Sequence, residues 1–474
     1  MTGSNRDSES LLPEPTQVFT PLPIHIDPSF DSVSLERENH RPRWRSVACG
    51  WAFTIAVTEP QVNKNNKNNK TIDVSAIADE EEGRVRNQCR CRNKFYAWGS
   101  GAFGELGLGP GLTKTGRRAI AIKSELLNSQ NKEYEILKVR AGLRHVLLLV
   151  KEQSYNNGSH RNTSRSRNSD TGDHFESQGS TSRTLLMGWG NNRQGQLGVL
   201  TRNSGDPEAV PYTEKELRGK FMEPTFILIS RDSSERSAES AAVAAVAAAV
   251  EIVDMACGQN HSLVLFSDGS VYSSGLNKYG QLGPCHPASS SSSVSASASS
   301  KQEFRIGFEK VQGLPFVDSI SCGWNHNAAM DTRPLKGKGR TTIYLWGRND
   351  HGQLGNGVPI MSINMDLNRG NNVPGIVQLR IPAAPDTQDE SDDVLSYCCG
   401  SEHTLVMTRS KDCYAWGWNE HGNCGSGNDT SVNLRDVPTP RKVRFPAPSS
   451  AQGSVSDSGQ GWVMGGYGSS WVWM

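Results

Sequence analysis

Two short patterns of apolar and polar positions alternate along the chain. The first has a small residue, a glycine, two variable positions, a histidine followed by Ser or Thr, and an aliphatic run, as in MACGQNHSLVLF. Phe53 or Ser469 replaces the histidine in two of the copies. The six copies begin at Val47, Val139, Met255, Ile320, Tyr397 and Val463. Each copy predicts a strand edge with a tight turn.

The second pattern falls between successive copies of the first. It has an aromatic residue, then Trp-Gly, and ends Asn-x-x-Gly-Gln-Leu-Gly, as in IYLWGRNDHGQLGNG. Its five copies begin at Phe95, Leu185, Val271, Ile343 and Cys413. Glycines such as Gly347, Gly352 and Gly355 suit a looped return of the backbone that a Cβ would forbid, with Leu354 as an inward anchor. The glycines of the Trp-Gly position, interpreted as structural, are Gly99, Gly190, Gly275, Gly347 and Gly417.

The two patterns are joined as adjacent antiparallel strands. Asp268 and Gly269 lie between two apolar runs in SLVLFSDGSVYSSG, which is a strong hairpin signal. One such unit cannot bury its hydrophobic face alone, so the copies must pack radially against one another. The sequence therefore predicts an all-β fold, a β-propeller.

Polar and low-complexity insertions interrupt the repeats. The propeller is predicted over 44–474, with disordered insertions at about 61–94, 152–182, 201–250, 285–303 and 358–393. Within them, AAVAAVAAAV at 241–250 favours a short helix. Residues 1–43 show neither pattern and are predicted to be poorly ordered.

Composition adds few functional clues. The chain has 50 Lys and Arg against 49 Asp and Glu, so no global field draws it onto nucleic acid or an anionic membrane. Neither a secretory signal nor an apolar stretch long enough to span a bilayer occurs. We expect a cytoplasmic and nuclear protein with no direct contact to nucleic acid or membrane.

A histidine and a cysteine each recur at one place in four copies of the first pattern. These residues are His145, His261, His326 and His403, and Cys49, Cys257, Cys322 and Cys399. Equivalent positions would lie in different blades, whereas zinc ligands must converge on one point. We interpret the histidines as buried imidazoles bonded to neighbouring backbone, and the cysteines as small core residues.

Two other motifs are weak. Cys89 and Cys91 form a lone Cys-x-Cys that is better interpreted as solvated loop. The stretch from Gly111 to Gly116 imitates a phosphate loop but lacks its Lys-Ser/Thr. No metal, cofactor or catalytic residue is therefore predicted.

One copy of the second pattern departs from the others. In CYAWGWNEHGNCGSG a second tryptophan precedes the asparagine, and a cysteine replaces the usual leucine. A large aromatic residue beside polar groups on a turn suits a partner anchor, and packing on a neighbouring blade suits it equally. The residues concerned are Trp418, Asn419, Glu420, His421 and Cys424.

The alternating patterns, especially CGQNHSLVL and WGRNDHGQLG, resemble the regulator-of-chromosome-condensation repeat, which builds seven-bladed propellers. Within that family, FYAWGSGAFGELGLG, CYAWGWNEHGNCGSG and the final GGYGSSWVW are most similar to the fungal alpha-tubulin suppressor proteins. Compared with that pattern, about the first blade and a half is missing. We therefore expect an open ring in which Val463 to Met474 lacks its usual partner.

The resemblance implies a non-catalytic protein-binding scaffold. Its partner would be the small zinc-binding electron carrier of diphthamide synthesis, through which it would support Elongator-dependent modification of wobble uridines in transfer RNA. The alternative is a guanine-nucleotide exchange factor for a small GTPase, which relatives of this repeat also perform. A chromatin-binding propeller is disfavoured by the near-neutral charge.

Overall fold

The structure is a computed structural model in which the strands form successive sheets around a common axis. It describes residues 25–26, 43–60, 93–127, 132–154, 181–202, 210–229, 250–284, 304–332, 341–357, 375–381, 393–420, 422–425, 436–443, 461–466 and 470–473. Within these residues the strands form six sheets, here numbered 1 to 6 in chain order.

Sheets 1 to 3 contain β1 to β14. Sheet 1 has the order β1-β5-β4-β3-β2 and contains β1 (His25–Ile26), β2 (Trp44–Cys49), β3 (Phe53–Thr58), β4 (Phe95–Ser100) and β5 (Lys114–Ala121). Sheet 2 has the order β6-β7-β8-β10-β9 and contains β6 (Lys132–Ala141), β7 (His145–Ser154), β8 (Thr181–Asn191), β9 (Val199–Leu200) and β10 (Lys220–Leu228). Sheet 3 contains, in spatial order, β11 (Ile252–Cys257), β12 (His261–Phe266), β13 (Val271–Leu276) and β14 (Phe304–Lys310).

Sheets 4 to 6 contain the remaining strands, each sheet in chain order. Sheet 4 contains β15 (Ser319–Cys322), β16 (His326–Met330), β17 (Ile343–Gly347) and β18 (Ile376–Leu379). Sheet 5 contains β19 (Val394–Cys399), β20 (His403–Thr408), β21 (Cys413–Gly417) and β22 (Val437–Lys442). Sheet 6 contains β23 (Trp462–Gly465) and β24 (Ser470–Trp473). A 3-10 turn at Glu125–Leu127 and the short helix α1 (Glu214–Leu217) complete the described elements.

The two repeated patterns form the inner part of each blade. The small residue and glycine end the innermost strand, and the histidine begins the second strand, so that β11, β12 and β13 pair antiparallel in sequence. Asp268 and Gly269 form the hairpin between β12 and β13, where Gly269 has a φ of 81°. The outermost strand lies at the sheet edge, where Pro438 and Pro440 of β22 are tolerated because an edge strand need not donate on both sides.

The hydrophobic core lies between neighbouring sheets. Every residue of β12 and β20 is buried, because each of these strands is covered by a sheet on both faces. Leu354 of sheet 4 joins the same apolar cluster as Leu405 and Trp416 of sheet 5. The innermost strands of consecutive sheets contact one another from β2 to β23, as radial packing requires. The all-β propeller predicted from the repeats is confirmed.

Several boundaries drawn from the sequence are corrected by regular structure within the predicted insertions. β10 lies inside 201–250, because the apolar FMEPTFIL is hidden in a segment that is polar on average. β18 lies inside 358–393, β7 and β8 reach into 152–182, and β1 of the predicted disordered 1–43 pairs parallel with β5. The helix expected at 241–250 lies outside the described residues, except for Val250, which is not helical.

Sheet 6 is an incomplete blade in the described part of the chain. β23 and β24 pair with each other, and no third strand there joins them. β23 packs on sheet 5, where Val463 shares a core with Leu405. Sheet 6 therefore has two strands in the described residues, where sheets 3 to 5 have four each, and the open ring stays a prediction.

Candidate functional site

All the turns of the two patterns lie at one end of the strands, which we call the turn face. It consists of the inner turns 50–52, 142–144, 258–260, 323–325 and 400–402 and the described residues of the glycine loops, 101–107, 192–198, 277–283, 349–355, 419–420 and 422–425. The strand hairpins such as 267–270 lie at the other end. The turn face is the part of the fold on which side chains from sheets 1 to 5 can meet.

Each repeated histidine bonds to the next blade. The four histidines are fully buried, and their Nε2 atoms lie 2.7 to 3.1 Å from a polar side-chain atom of the following sheet. The pairs are His145 with Ser262, His261 with Asn327, His326 with Thr404, and His403 with Ser470. The sequence predicted a backbone partner; the structure shows a side chain, because the imidazole points across the gap between sheets rather than along its own strand.

The polar partner in turn donates a hydrogen bond to a backbone carbonyl of the blade that carries the histidine. Thr404 Oγ1 donates to the Gln353 carbonyl (3.0 Å), and the Trp416 indole N–H donates to the same oxygen (2.8 Å). Since the hydroxyl hydrogen is used there, His326 must donate from Nε2, which leaves Nδ1 as the unprotonated nitrogen. Burial lowers the pKa to about 3 for His145 and His326 and to about 4 for His261. These imidazoles are therefore neutral packing units.

Glycine is required at the Trp-Gly position, near the end of the strand that pairs with the histidine strand. Gly347 pairs with His326 across β16 and β17, has a φ of 104°, and would place a Cβ 2.5 Å from the Asn325 carbonyl oxygen. The other four positions have the same geometry, with φ between 101° and 118° and a carbonyl oxygen 2.3 to 2.6 Å from the ideal Cβ; they are Gly99, Gly190, Gly275 and Gly417. Their role in the described blades is structural.

The inner turns are tied to one another around the axis. Backbone N–H groups of Gln259, Trp324 and Ser401 donate to the carbonyls of Trp324, Ser401 and Gly466, each in the next sheet. Trp51 N–H likewise donates to Leu143 O. The rings of Trp51 and Trp324, from sheets 1 and 4, lie 6.5 Å apart at 52°. Trp51 is 42% exposed, so the hub of the turn face presents aromatic surface.

A polar network surrounds this hub on the side of sheets 3 to 5. Glu402 is 6% exposed and accepts from Arg348 Nη1 (2.8 Å) and Gln353 Nε2 (2.7 Å), while Gln281 Nε2 donates to Asn325. Burial raises the pKa of the Glu402 carboxyl, and the Arg348 charge opposes that rise. Arg348 also pairs with Asp350 (2.6 Å). The network fixes the loop side chains of three blades against one another.

The departing copy of the second pattern divides into two groups. Asn419 Oδ1 accepts from Cys424 N–H (2.9 Å), both residues are buried, and Asn349 makes the same bond to Leu354, so this pair holds the loop together. Burial raises the pKa of the Cys424 thiol to about 12, which leaves it protonated. Trp418 is half-buried and its indole N–H donates to exposed Glu420 (3.3 Å). These two are the residues of the group that a partner could reach; His421 lies outside the described residues.

Six of the seven described cysteines are buried or partly buried thiols. Within them, no three His, Cys, Asp or Glu side chains converge as a metal site. Burial raises the pKa of Cys257 to about 12 and that of Cys399 and Cys322 well above the ordinary value. Cys49 is exposed, and Cys89 and Cys91 lie outside the described residues. The described part of the chain also contains no helix of the length and hydropathy needed to cross a bilayer.

Trp51 and Trp324 were not predicted as site residues. Each follows the glycine of a first-pattern copy, in ACGWAF and SCGWNH, and the other copies have Leu, Gln, Ser or Tyr there. A tryptophan at a variable turn position was the available signal. Nothing in the sequence indicates that these two turns face each other.

Models of known families match the repeats themselves. Two models described as the regulator of chromosome condensation (RCC1) repeat match residues 252–281 and 396–423, and residues 268–330, 342–407 and 412–454. The chain contains RCC1 repeats. Sheets 3 to 5 therefore carry the matched RCC1 repeats, with the buried histidine and the Trp-Gly turn as their packing units.

Curated relatives with RCC1 repeats match part of the chain. A mouse secretion-regulating guanine nucleotide exchange factor is 30% identical over 196 residues, covering 40% of this chain and 36% of the relative. Human RCC1 domain-containing protein 1 is 29% identical over 209 residues (40% and 49%), and the Arabidopsis thaliana ultraviolet-B receptor UVR8 is 28% identical over 215 residues (44% and 39%). The chain thus spans less than half the length of these relatives.

Solved structures similar to the chain include human WBSCR16 and Prp20p from Saccharomyces cerevisiae. The first has a TM-score of 0.38 and 16% identity, covering 86% of this chain and 83% of its own. The second has a TM-score of 0.39 and 16% identity, covering 84% and 76%.

Proposed function

We propose that this protein is a non-catalytic scaffold that docks a protein partner on the turn face. The observation that carries the proposal is the exposed Trp51, whose ring lies 6.5 Å from that of Trp324 at the hub, where turns of separate sheets meet. Tryptophan and arginine dominate the binding energy of protein interfaces. A rigid ring of turns presents such side chains at little entropic cost.

We further propose that the scaffold works without catalytic residue or cofactor, in the cytoplasm and nucleus. The neutral buried histidines and protonated buried thiols support a binding role over an enzymatic one. The cysteines of the described residues are all thiols, which suits a reducing compartment.

The first partner class is a small GTPase, for which the protein would act as an exchange factor. The name of the mouse relative supports this candidate, and exchange needs a surface that remodels the GTPase rather than catalytic side chains. Release of a fluorescent GDP analogue from a panel of GTPases tests it. We expect this protein, at substoichiometric amounts, to accelerate release of the GDP analogue from at least one GTPase. If no GTPase of the panel responds, exchange activity toward the tested GTPases is excluded.

The second partner class is the small zinc-binding electron carrier of diphthamide synthesis and Elongator, as in the alpha-tubulin suppressor proteins. Support comes from CYAWGWNEHGNCGSG and the half-buried Trp418 on its turn. Titration of the recombinant zinc protein by calorimetry tests it. Binding there, together with silence in the GDP release assay, would favour the scaffold role in wobble-uridine modification and diphthamide synthesis over exchange.

Replacing both hub tryptophans should weaken whichever complex forms. We expect Trp51→Ala with Trp324→Ala to reduce affinity by about 2 kcal/mol or more, because interface tryptophans are frequent hot spots. Calorimetric titration with the identified partner measures this, and circular dichroism checks the fold. Replacement of exposed Trp462, outside the turn face, is the matched control. Unchanged affinity in a folded double variant would remove the hub as the docking surface.

Replacing Trp418 separately tests the departing loop. If this loop anchors the partner, Trp418→Ala should cost about 2 kcal/mol of affinity, while Glu420→Gln should cost less because an exposed carboxylate contributes little. The same titration measures both. A folded Trp418→Ala variant that binds as the wild type would leave the tryptophan as packing on its own loop.

A further inference from the structure

Three positive side chains gather around the aromatic ring of Phe103 on the turn face. The Arg144 guanidinium carbon lies 4.1 Å from the ring centroid, the Lys220 ammonium 4.8 Å and the Arg193 guanidinium carbon 5.9 Å. Phe103 belongs to sheet 1, and the three cations come from the inner turn, the start of β10 and the glycine loop of sheet 2. We call these four residues the Phe103 cluster; it exists because sheets 1 and 2 pack together.

The positive charge of the cluster is only partly compensated. Glu105 lies beneath it, 4% exposed, with Oε2 accepting from the Phe103 N–H (2.6 Å). Burial raises the pKa of Glu105, and the charges of Arg144 and Lys220 oppose the rise. In the part of the chain that the structure describes, no carboxylate lies within ion-pair distance of the three cations. Arg144 and Lys220 thus lie close enough to influence the one buried carboxylate, and Lys220 Nζ also donates to the Ala102 carbonyl (3.2 Å).

Between sheets 3 and 4, an arginine beside the ring equivalent to Phe103 has its charge paired with carboxylates. There the Arg348 guanidinium lies 5.0 Å from the ring centroid of Tyr279. Unlike Arg193, Arg348 forms ion pairs with both Asp350 and Glu402. Lys278 is a second cation near this ring, at 5.3 Å. The arginine near Tyr279 is thus ion-paired within the protein, whereas none of the three cations near Phe103 is paired with a described carboxylate.

We propose that the Phe103 cluster binds an acidic peptide segment of the protein partner that docks on the turn face. This proposal rests on the docking role proposed above and adds the chemistry of the partner. Arg144 is held against the ring, so its guanidinium is preorganised to receive a carboxylate, while exposed Arg193 and Lys220 close around the segment. A nucleic acid is disfavoured because it needs an extended basic surface, and this chain carries a formal charge of +1.

Fluorescence anisotropy of a short labelled Glu/Gly peptide on the full chain tests the proposal, with a Gln/Gly peptide of equal length as the probe control. We expect the Glu/Gly peptide to bind and the Gln/Gly peptide not to bind, and the affinity for the Glu/Gly peptide to fall as the salt concentration rises. The triple change Arg144→Gln, Arg193→Gln and Lys220→Gln should reduce its affinity by about tenfold or more. A matched triple change at the opposite end of the strands should leave affinity within about twofold; it replaces Arg43, Lys123 and Arg409 by Gln.

A second variant separates charge from geometry. Phe103→Leu keeps all three cations but removes the ring that holds Arg144, so peptide affinity should fall less than in the triple variant, and thermal melting should report a folded protein. Equal binding by the two peptides, equal losses in the two triple variants, or tighter binding of a single-stranded RNA of the same charge would each overturn the proposal. If the acidic peptide fails to bind while the hub tryptophan variants still bind the partner more weakly, the proposed docking role stands and the proposal of an acidic segment is wrong.

Discussion

Acidification from about pH 7.5 to about pH 5.5 should destabilise the fold by about 4 kcal/mol through His145, His261 and His326 alone. Burial holds their folded pKa at about 3, 4 and 3, whereas the unfolded value is near 6.5. The unfolded chain therefore binds more protons in this window, and stability falls as the pH falls. Each histidine contributes about 1.4 kcal/mol near pH 5.5.

Urea unfolding of the wild type and of His326→Gln at both pH values measures this effect. Glutamine retains an N–H that can donate to Thr404 but cannot take up a proton. The variant should lose about 1.4 kcal/mol less on acidification than the wild type. Identical pH dependence in the two proteins would show that burial does not keep His326 neutral in the folded protein.

Adding a methyl group at Gly347 should destabilise the protein by about 3 kcal/mol or more, since a non-glycine residue at positive φ is strained and the Cβ also meets a backbone oxygen. The ideal Cβ lies 2.5 Å from Asn325 O, in the turn that positions His326. Gly347→Ala should lower the melting temperature and the urea midpoint together.

Two other glycines separate the causes of that loss. Gly375 has a φ of 88° but open space around an ideal Cβ, so Gly375→Ala should cost about 1 kcal/mol from backbone strain alone. Gly111 has no left-handed φ, and no described atom beyond its chain neighbours lies within 4 Å of an ideal Cβ, so Gly111→Ala should stay within about 0.5 kcal/mol of the wild type. Equal losses at Gly347 and Gly375 would show that the contact with the Asn325 carbonyl contributes nothing.

Local sequence accounts for the blades because each repeat carries its own turn and strand signals. Gly269 at the hairpin and the Trp-Gly glycines indicate a positive φ at their positions, since few other residues adopt that conformation. β10 escaped detection because its apolar residues sit within a polar and alanine-rich segment, so average composition concealed them.

The candidate site was much less predictable. Trp418 was visible as a departure from its repeat, but Asn419 and Cys424 prove to be loop-holding residues in the positions of Asn349 and Leu354. Trp51 and Trp324 lie in different sheets, and their contact follows from the arrangement of the turns around the axis. Packing of the blades brings side chains from different repeats together on the turn face, and the sequence of one repeat does not specify these contacts.

The sequence by itself determined that glycine-punctuated strand pairs repeat along the chain, and that such pairs must stack to bury their apolar faces. Only the tertiary structure decided the partner of each histidine, the approach of the hub tryptophans and the partly compensated charge around Phe103. The physical reason is that strand and turn formation depends on neighbours in the chain, whereas these contacts cross between blades and depend on how two independently specified sheets face each other.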